Sequence, residues 1–134
     1  PYIPFYLVTE EFFRLVRAHM SSDGLLMMNV YDAGKKHEIL YSTGATLERV
    51  FPTVLVYSRL PKSYMLFAFA ESRSVASIQQ ALQQLQGRPG IVKLAREAAS
   101  GIANLDPPPG SVVFTDDHAP IEPMTRRMLL ADTR

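Results

Sequence analysis

Four side chains near the end of the chain have the chemistry to bind a cation. The segment TDDHAPIEP places Asp116, Asp117, His118 and Glu122 close together, beside turn-forming prolines. Paired carboxylates attract an ammonium group, which favours a site for a cationic amine. A metal site would need several converging ligands, and short acidic loops also serve as turns and helix caps. We therefore predict that Asp116, Asp117 and Glu122 bind substrate, and we expect no metal ion. The structural alternative is that Asp116 or Asp117 caps a helix whose early residues include Glu122.

A second pair of polar residues ends a strongly apolar run. Asn29 lies within LLMMNVY, and Asp32 comes directly after it. Such a run predicts a buried strand, and the ligands of open α/β sheets bind beyond the carboxyl ends of the strands. Asn29 and Asp32 are therefore predicted substrate-binding residues as well. The alternative, that their side chains only satisfy nearby loop backbone, stays open.

Several other reaction types lack the residues that they need. The sequence has no glycine-rich phosphate or dinucleotide loop and no G-x-S-x-G segment. It has no cysteine, which excludes thiolate catalysis, and its histidines, His19, His37 and His118, are not at metal-ligand spacing. No catalytic residue is therefore assigned, and this chain by itself is not expected to hold a cofactor.

Composition limits the class of protein, its location and its partners. A chain of 134 residues with 47% hydrophobic and 20% charged residues is typical of one folded domain. We treat residues 1–134 as one domain, in which 71–134 form a helical C-terminal extension and tail. The net charge of +1 does not favour nucleic acid, and no apolar run is long enough to cross a membrane. The lack of cysteine fits a reducing compartment, so we expect a cytoplasmic protein.

Local signals in the first half predict helices that alternate with a strand. Thr9 is the predicted N-cap of a helix that runs to about residue 20, with Leu15 on its apolar face. Residues 25–30 are predicted to form a central strand covered on both faces. A second helix is predicted over residues 35–51, although Gly44 lies inside it.

The second half begins with two apolar strands. TVLVYS and YMLFAFA are joined by RLPKS, which is too short for a parallel crossover and predicts an antiparallel hairpin. Ser74 is predicted to cap a third helix, in which Gln79 faces solvent, and a further helix is predicted over about 91–103.

The order of these elements predicts part of an α/β sheet. The chain starts at Pro1, without methionine, in a loop that leads to a helix and then a strand. One crossover of a parallel sheet has this order when its first strand is missing. We therefore predict the C-terminal half of a doubly wound sheet, with three strands, the last of them antiparallel, and four or five helices. The reversed strand is expected either between the other two or at an edge.

Two segments resemble the spermidine synthase-like family of polyamine aminopropyltransferases. IPFYLVTEEFFRLVRAHMSSDGLLMMNV is similar to the stretch after the family's catalytic aspartate loop, and TDDHAPIEP is similar to the ending of bacterial members. Together the matches cover about half of the chain directly. The resemblance implies the Rossmann-like fold that the family shares with S-adenosylmethionine-dependent methyltransferases, with this chain as its C-terminal half.

The resemblance also implies an activity for the whole protein. Family members transfer an aminopropyl group from decarboxylated S-adenosylmethionine to a polyamine such as putrescine, so that donor, or S-adenosylmethionine, would be the co-substrate. The nucleotide loop and the catalytic aspartate would precede Pro1, so this chain alone is expected to be inactive. Asn29 lies where many members have a glutamine, whereas the hairpin segment 60–63, LPKS, departs from the family's Tyr-Pro-x-Gly.

Two other functions stay open. The chain could belong to a relative of the methyltransferases, or it could be a non-catalytic interaction or dimerisation domain. The open apolar edge of a partial sheet would pair with a second copy, giving a homo-oligomer, or with a missing N-terminal half. The aromatic residues Tyr2, Phe5 and Tyr6 would then form an interface.

Overall fold

The structure, a computed structural model, describes residues 4–132. Within that range the chain forms a mixed α/β fold, as the sequence predicts. A short 3-10 turn covers Phe5–Leu7. The other elements in chain order are α1 (Glu10–Ala18), β1 (Leu25–Tyr31), α2 (Glu38–Glu48), β2 (Thr53–Leu60), β3 (Ser63–Phe69), α3 (Val75–Gln83), α4 (Pro89–Gly101), β4 (Ile102–Asn104) and α5 (Ile121–Asp132).

The described strands form one sheet in the order β1-β3-β2-β4, in which every neighbouring pair is antiparallel. Strand β3 lies between β1 and β2, so β1 and β2 run parallel to each other. The predicted hairpin is confirmed, and its turn is tight, because Ser63 pairs with Leu60. Of the two expected positions for the reversed strand, the structure has the inserted one.

Strand β4 corrects the prediction of three strands. The predicted helix over 91–103 ends at Gly101, and Ile102 then pairs with Tyr57 of β2. A Cβ added at Gly101 would lie within 2.4 Å of the Tyr57 ring, so a glycine lets the end of α4 approach the sheet closely. The contact is long-range, which explains why a helical pattern alone extends the helix too far.

The expectation that β1 is central and covered on both faces is wrong for the described residues. Strand β1 is an edge strand of the sheet. Its odd-numbered residues point away from the core, and Leu25, Met27 and Tyr31 are 44%, 56% and 50% exposed. The opposite face of β1 packs against the helices, with Val30 5% exposed. Apolar composition predicts the strand correctly but does not reveal which neighbours cover it.

The core lies between the sheet and helices α1 and α2, and the tail adds Phe114 to it. The predicted cap is confirmed, because the Thr9 hydroxyl accepts a hydrogen bond from the Phe12 amide at 3.3 Å. Leu15, predicted on the apolar face of α1, is instead 58% exposed. Within the described range, no helix is long and apolar enough to span a membrane.

Helix α2 begins at Glu38, three residues later than predicted, and it keeps Gly44 in its interior. A Cβ added at Gly44 would lie 2.0 Å from a methyl carbon of Leu105. The glycine therefore allows the segment that follows β4 to pack directly onto the helix. Packing at this position outweighs the poor helix propensity of glycine.

In the second half, the predicted cap of α3 is confirmed, because the Ser77 amide donates to the Ser74 hydroxyl at 3.1 Å. Gln79, predicted to face solvent, instead donates a hydrogen bond to the Ile102 carbonyl at 3.1 Å. This bond ties α3 to the start of β4, a strand that the sequence pattern does not show.

Candidate functional site

Asp32 lies at the end of β1 and is 1% exposed. Its carboxylate accepts hydrogen bonds from the backbone amides of Gly34 at 2.9 Å and of Ile39 and Leu40 at 3.0 Å. It thereby caps α2, whose N-cap residue, His37, has a left-handed backbone (φ 48°) and no capping side-chain bond of its own. Backbone amides thus occupy both carboxylate oxygens of Asp32. This arrangement corresponds to the structural alternative, in which the side chain satisfies nearby loop backbone.

Asn29 is exposed on the outward face of β1, and its amide donates to the Ser63 hydroxyl at 2.8 Å. Asp32 approaches the same turn, since its backbone amide donates to the Lys62 carbonyl at 2.9 Å. The structure therefore brings both predicted residues to the β2–β3 hairpin. Asn29 keeps its side chain at the surface, where it is accessible to a ligand.

Asp116 binds the start of α1. The Thr9 hydroxyl donates to the Asp116 carboxylate at 2.7 Å, and Thr9 is fully buried. The Asp116 amide in turn donates to the Glu11 carboxylate at 3.1 Å. The predicted alternative was a cap on the helix containing Glu122, whereas the helix that Asp116 contacts is α1.

The backbone beside Asp116 makes two further bonds that hold the tail in place. The Glu10 amide donates to the Phe114 carbonyl at 2.8 Å. The Phe114 amide donates to the hydroxyl of Thr46, a fully buried residue of α2, at 2.9 Å. We call residues 114–116 with these bonds the tail clasp. The clasp joins α1 and α2 and positions α5, which follows it.

The other predicted residues of the tail are exposed, as Asp116 is, but they lack its contacts. Asp117 and Glu122 form no side-chain hydrogen bond or ion pair within residues 4–132, and Glu122 lies in the first turn of α5. Asp32 and Glu122 line different cavities. The structure thus does not gather the predicted carboxylates into one pocket. In the described part of the chain, no three His, Asp or Glu side chains are placed to hold a metal ion.

A cluster of aromatic and imidazole rings lies beside Asp32 and is not evident from the sequence. The His37 ring lies 5.3 Å from the Tyr64 ring and 6.2 Å from the Tyr41 ring. Burial raises the pKa of Tyr64, and the charges of Asp32 and Tyr41 raise it further. Only the strand pairing brings Tyr64 to this position, opposite Val30, so no local signal could have shown it.

Two cavities flank the carboxyl end of β1. One of about 290 Å³ lies between the start of α2 and α5 and includes Asp32 in its lining. The other, of about 390 Å³, is walled by β1, α2 and α5, and its lining includes Tyr31, Thr43 and Thr125 among mostly apolar residues. Ile39 and Met128 line both cavities.

Of the predicted N-terminal aromatic residues, Phe5 and Tyr6 are about half exposed, and Tyr2 lies outside the described residues.

Comparison with known proteins gives a similarity of fold. No protein-family profile and no curated protein sequence matches the chain. The structure is similar to a crystal structure of a probable spermidine synthase from Corynebacterium glutamicum, with a TM-score of 0.55 and 18% sequence identity. The match covers 87% of this chain and 43% of that one, so the chain spans less than half of its neighbour's length. The comparison shows an α/β fold consistent with part of a Rossmann-like domain.

Proposed function

We propose that the chain is the C-terminal part of a spermidine synthase-like aminopropyltransferase. The observation that carries the proposal is the fold similarity to a probable spermidine synthase over 87% of this chain. The two sequence segments that resemble the family are a second line of support, separate from the fold comparison. One covers α1 and most of β1, and the other leads into α5. A cytoplasmic location belongs to the same proposal.

The strand order supports the C-terminal assignment. Strands β1 and β2 are parallel, with β3 reversed between them, and β1 has a free edge in the described structure. The interior strands of doubly wound sheets pair on both sides. An upstream strand that paired with this edge would cover its backbone, and helices on the outer face would bury Leu25 and Met27. The upstream part of the protein would therefore be the partner of this chain.

In the proposed reaction, the nitrogen of the acceptor amine forms a bond to the propyl carbon attached to the donor's sulfonium. The carbon–sulfur bond breaks, its electron pair stays on sulfur as a thioether, and the amine proton passes to a base. The described residues do not fit the donor itself, because the buried carboxylate of Asp32 is saturated by backbone amides and the chain has no glycine-rich loop. The proposal therefore assigns the donor site and the base to the upstream part.

The role proposed for this chain is to border the acceptor amine. Asn29 would contact it beside the hairpin, since its side chain is exposed and lies at the carboxyl end of β1. Asp117 and Glu122 are exposed carboxylates without a side-chain partner in residues 4–132. They would attract a polyamine to the surface of the tail, outside the cavity that contains Asp32. Asp32 and Asp116 would act through the backbone and through Thr9, respectively, by holding these elements in place.

Calorimetric titration of the whole protein with decarboxylated S-adenosylmethionine, followed by putrescine, tests the proposal. We expect heat of binding for both ligands. Binding of S-adenosylmethionine but not of the decarboxylated donor would favour the methyltransferase alternative. No binding of either donor would remove the transferase interpretation.

The exposed edge favours a second candidate, a dimerisation domain in which two copies of β1 pair. The strand has no proline and no charged residue, the features that protect the edges of monomeric sheets. Under this candidate, Met27→Lys should convert a dimer into monomers, as measured by analytical ultracentrifugation. Leu15→Lys, at an equally exposed apolar position on α1, is the matched control and should stay dimeric. A monomeric wild-type protein would exclude the candidate.

A further inference from the structure

The cavity of about 290 Å³ combines an apolar wall with a charged rim. Ile39, Met124 and Met128 form the apolar part, and both methionines are less than 10% exposed. An apolar wall of this size can hold the body of a small organic molecule. The charge of the rim then decides which class of molecule the cavity prefers. The charged rim residues are Asp32, Lys35, Lys36, Glu38 and Arg127.

Both carboxylates of the rim already have partners. Asp32 accepts three backbone hydrogen bonds, from Gly34, Ile39 and Leu40. Glu38 accepts two hydrogen bonds from the Arg127 guanidinium, at 2.8 and 3.1 Å. Asp32 is therefore not available to pair with an incoming cation. Glu38 uses only Oε2 and forms an ion pair with Arg127, so this pair adds no net charge to the rim.

The two lysines differ from these acids. Lys35 and Lys36 are exposed and form no side-chain hydrogen bond or ion pair with any residue in the range 4–132. Two uncompensated ammonium groups beside an apolar wall repel an amine and attract an anion. The site proposed for the acceptor amine attracts a cation, whereas this cavity attracts an anion. The cavity would therefore bind a different ligand.

We propose that this cavity binds a small organic carboxylate with an apolar body. The body contacts Ile39, Met124 and Met128, and the carboxylate lies near Lys35 and Lys36. The inference does not depend on aminopropyl transfer, because it concerns another ligand and its test uses binding alone.

Three probes with nearly the same apolar body test the charge preference: phenylacetate, phenethyl alcohol and phenethylamine. In titrations of the isotope-labelled protein followed by NMR, phenylacetate should shift the amide signals of 34–39 and 124–128. The alcohol should bind about fivefold more weakly, as expected for the loss of exposed ion pairs, and the amine more weakly still. Equal or tighter binding of the amine, or shifts confined to other regions, would overturn the proposal, as would no shift with phenylacetate.

A double variant that removes both positive charges, Lys35→Gln with Lys36→Gln, isolates the contribution of the lysines. It should bring phenylacetate affinity down to that of the alcohol and leave alcohol binding unchanged. Lys93→Gln, at an exposed lysine on α4, is the matched control and should bind phenylacetate like the wild type. Both sites are on the surface, so folding should persist, and circular dichroism checks it. An unchanged preference for phenylacetate in the double variant would contradict the assigned role of the lysines.

Discussion

Thr9 and Asp116 are 107 positions apart, and the hydroxyl of the first donates a 2.7 Å hydrogen bond to the carboxylate of the second. The same hydroxyl accepts from the Phe12 amide, so one buried threonine both caps α1 and holds the tail. An acidic segment that resembles a ligand-binding motif thus has a structural role in this protein. Its neighbour Asp117 carries the same charge without that contact.

The two adjacent aspartates allow a matched test of the tail clasp. Asp116→Ala should lower the free energy of unfolding by about 1–2 kcal/mol, because the buried Thr9 hydroxyl loses a charged acceptor. Asp117→Ala should change it by less than about 0.5 kcal/mol, as is usual for an exposed side chain without partners. Urea unfolding of both variants measures the difference. Equal losses would show that the clasp does not depend on the Asp116 carboxylate.

The buried cap of α2 gives a second prediction. Asp32→Ala removes the acceptor of three amides and should cost about 2–3 kcal/mol of unfolding free energy, since a buried donor without a partner is costly. Hydrogen exchange should accelerate first at the amides of Gly34, Ile39 and Leu40. Protection that remains unchanged at those amides would contradict the capping role.

Two glycines in helices should respond in opposite directions to alanine. Gly44→Ala should destabilise by about 1–3 kcal/mol, because the new methyl group would overlap Leu105. Gly90→Ala, in α4, meets open space and should be neutral or stabilising by up to about 1 kcal/mol. Thermal unfolding compares the two. A stabilising Gly44→Ala would mean that Leu105 does not pack on the helix as described.

A change in pH should reveal the environment of Glu48. Partial burial raises the pKa of its carboxyl, and the charge of Asp106 raises it further. The folded protein then holds this proton more tightly than the unfolded chain, so the ionised carboxylate opposes folding at pH values above its ordinary pKa of 4.5. Glu48→Gln should therefore stabilise the protein at pH 7. The gain should shrink as the pH falls through the raised pKa of Glu48 and should be absent below 4.5. Asp106→Asn should give part of the same gain. A Glu48→Gln gain that persists undiminished at low pH would contradict this origin.

Parts of the fold that depend on nearby residues are predictable from sequence. The caps at Thr9 and Ser74 and the β2–β3 hairpin each involve residues a few positions apart. Three other features depend on residues far away in the chain. They are the end of α4, the presence of Gly44 inside α2, and the contact of Asp116 with α1. No local pattern encodes such contacts, so the sequence predicts the elements better than their neighbours.

The candidate site is likewise only partly predictable from the sequence. Position in an apolar run correctly places Asn29 and Asp32 at the end of a strand. Only the structure shows that both lie near one hairpin and that one is an exposed amide and the other a saturated carboxylate. The acidic tail is conspicuous in sequence, but its partners are α1 and α2. Lys35 and Lys36 belong to no sequence motif, and only the cavity beside them suggests a role in binding.

The transferase account is tested most directly by product analysis of the whole protein. Incubation with decarboxylated S-adenosylmethionine and a polyamine should give, by mass spectrometry, the acceptor with one added aminopropyl group. The Asn29→Ala variant should lower this yield through a higher acceptor KM. An acceptor of unchanged mass, from folded protein that binds both substrates, would contradict the account.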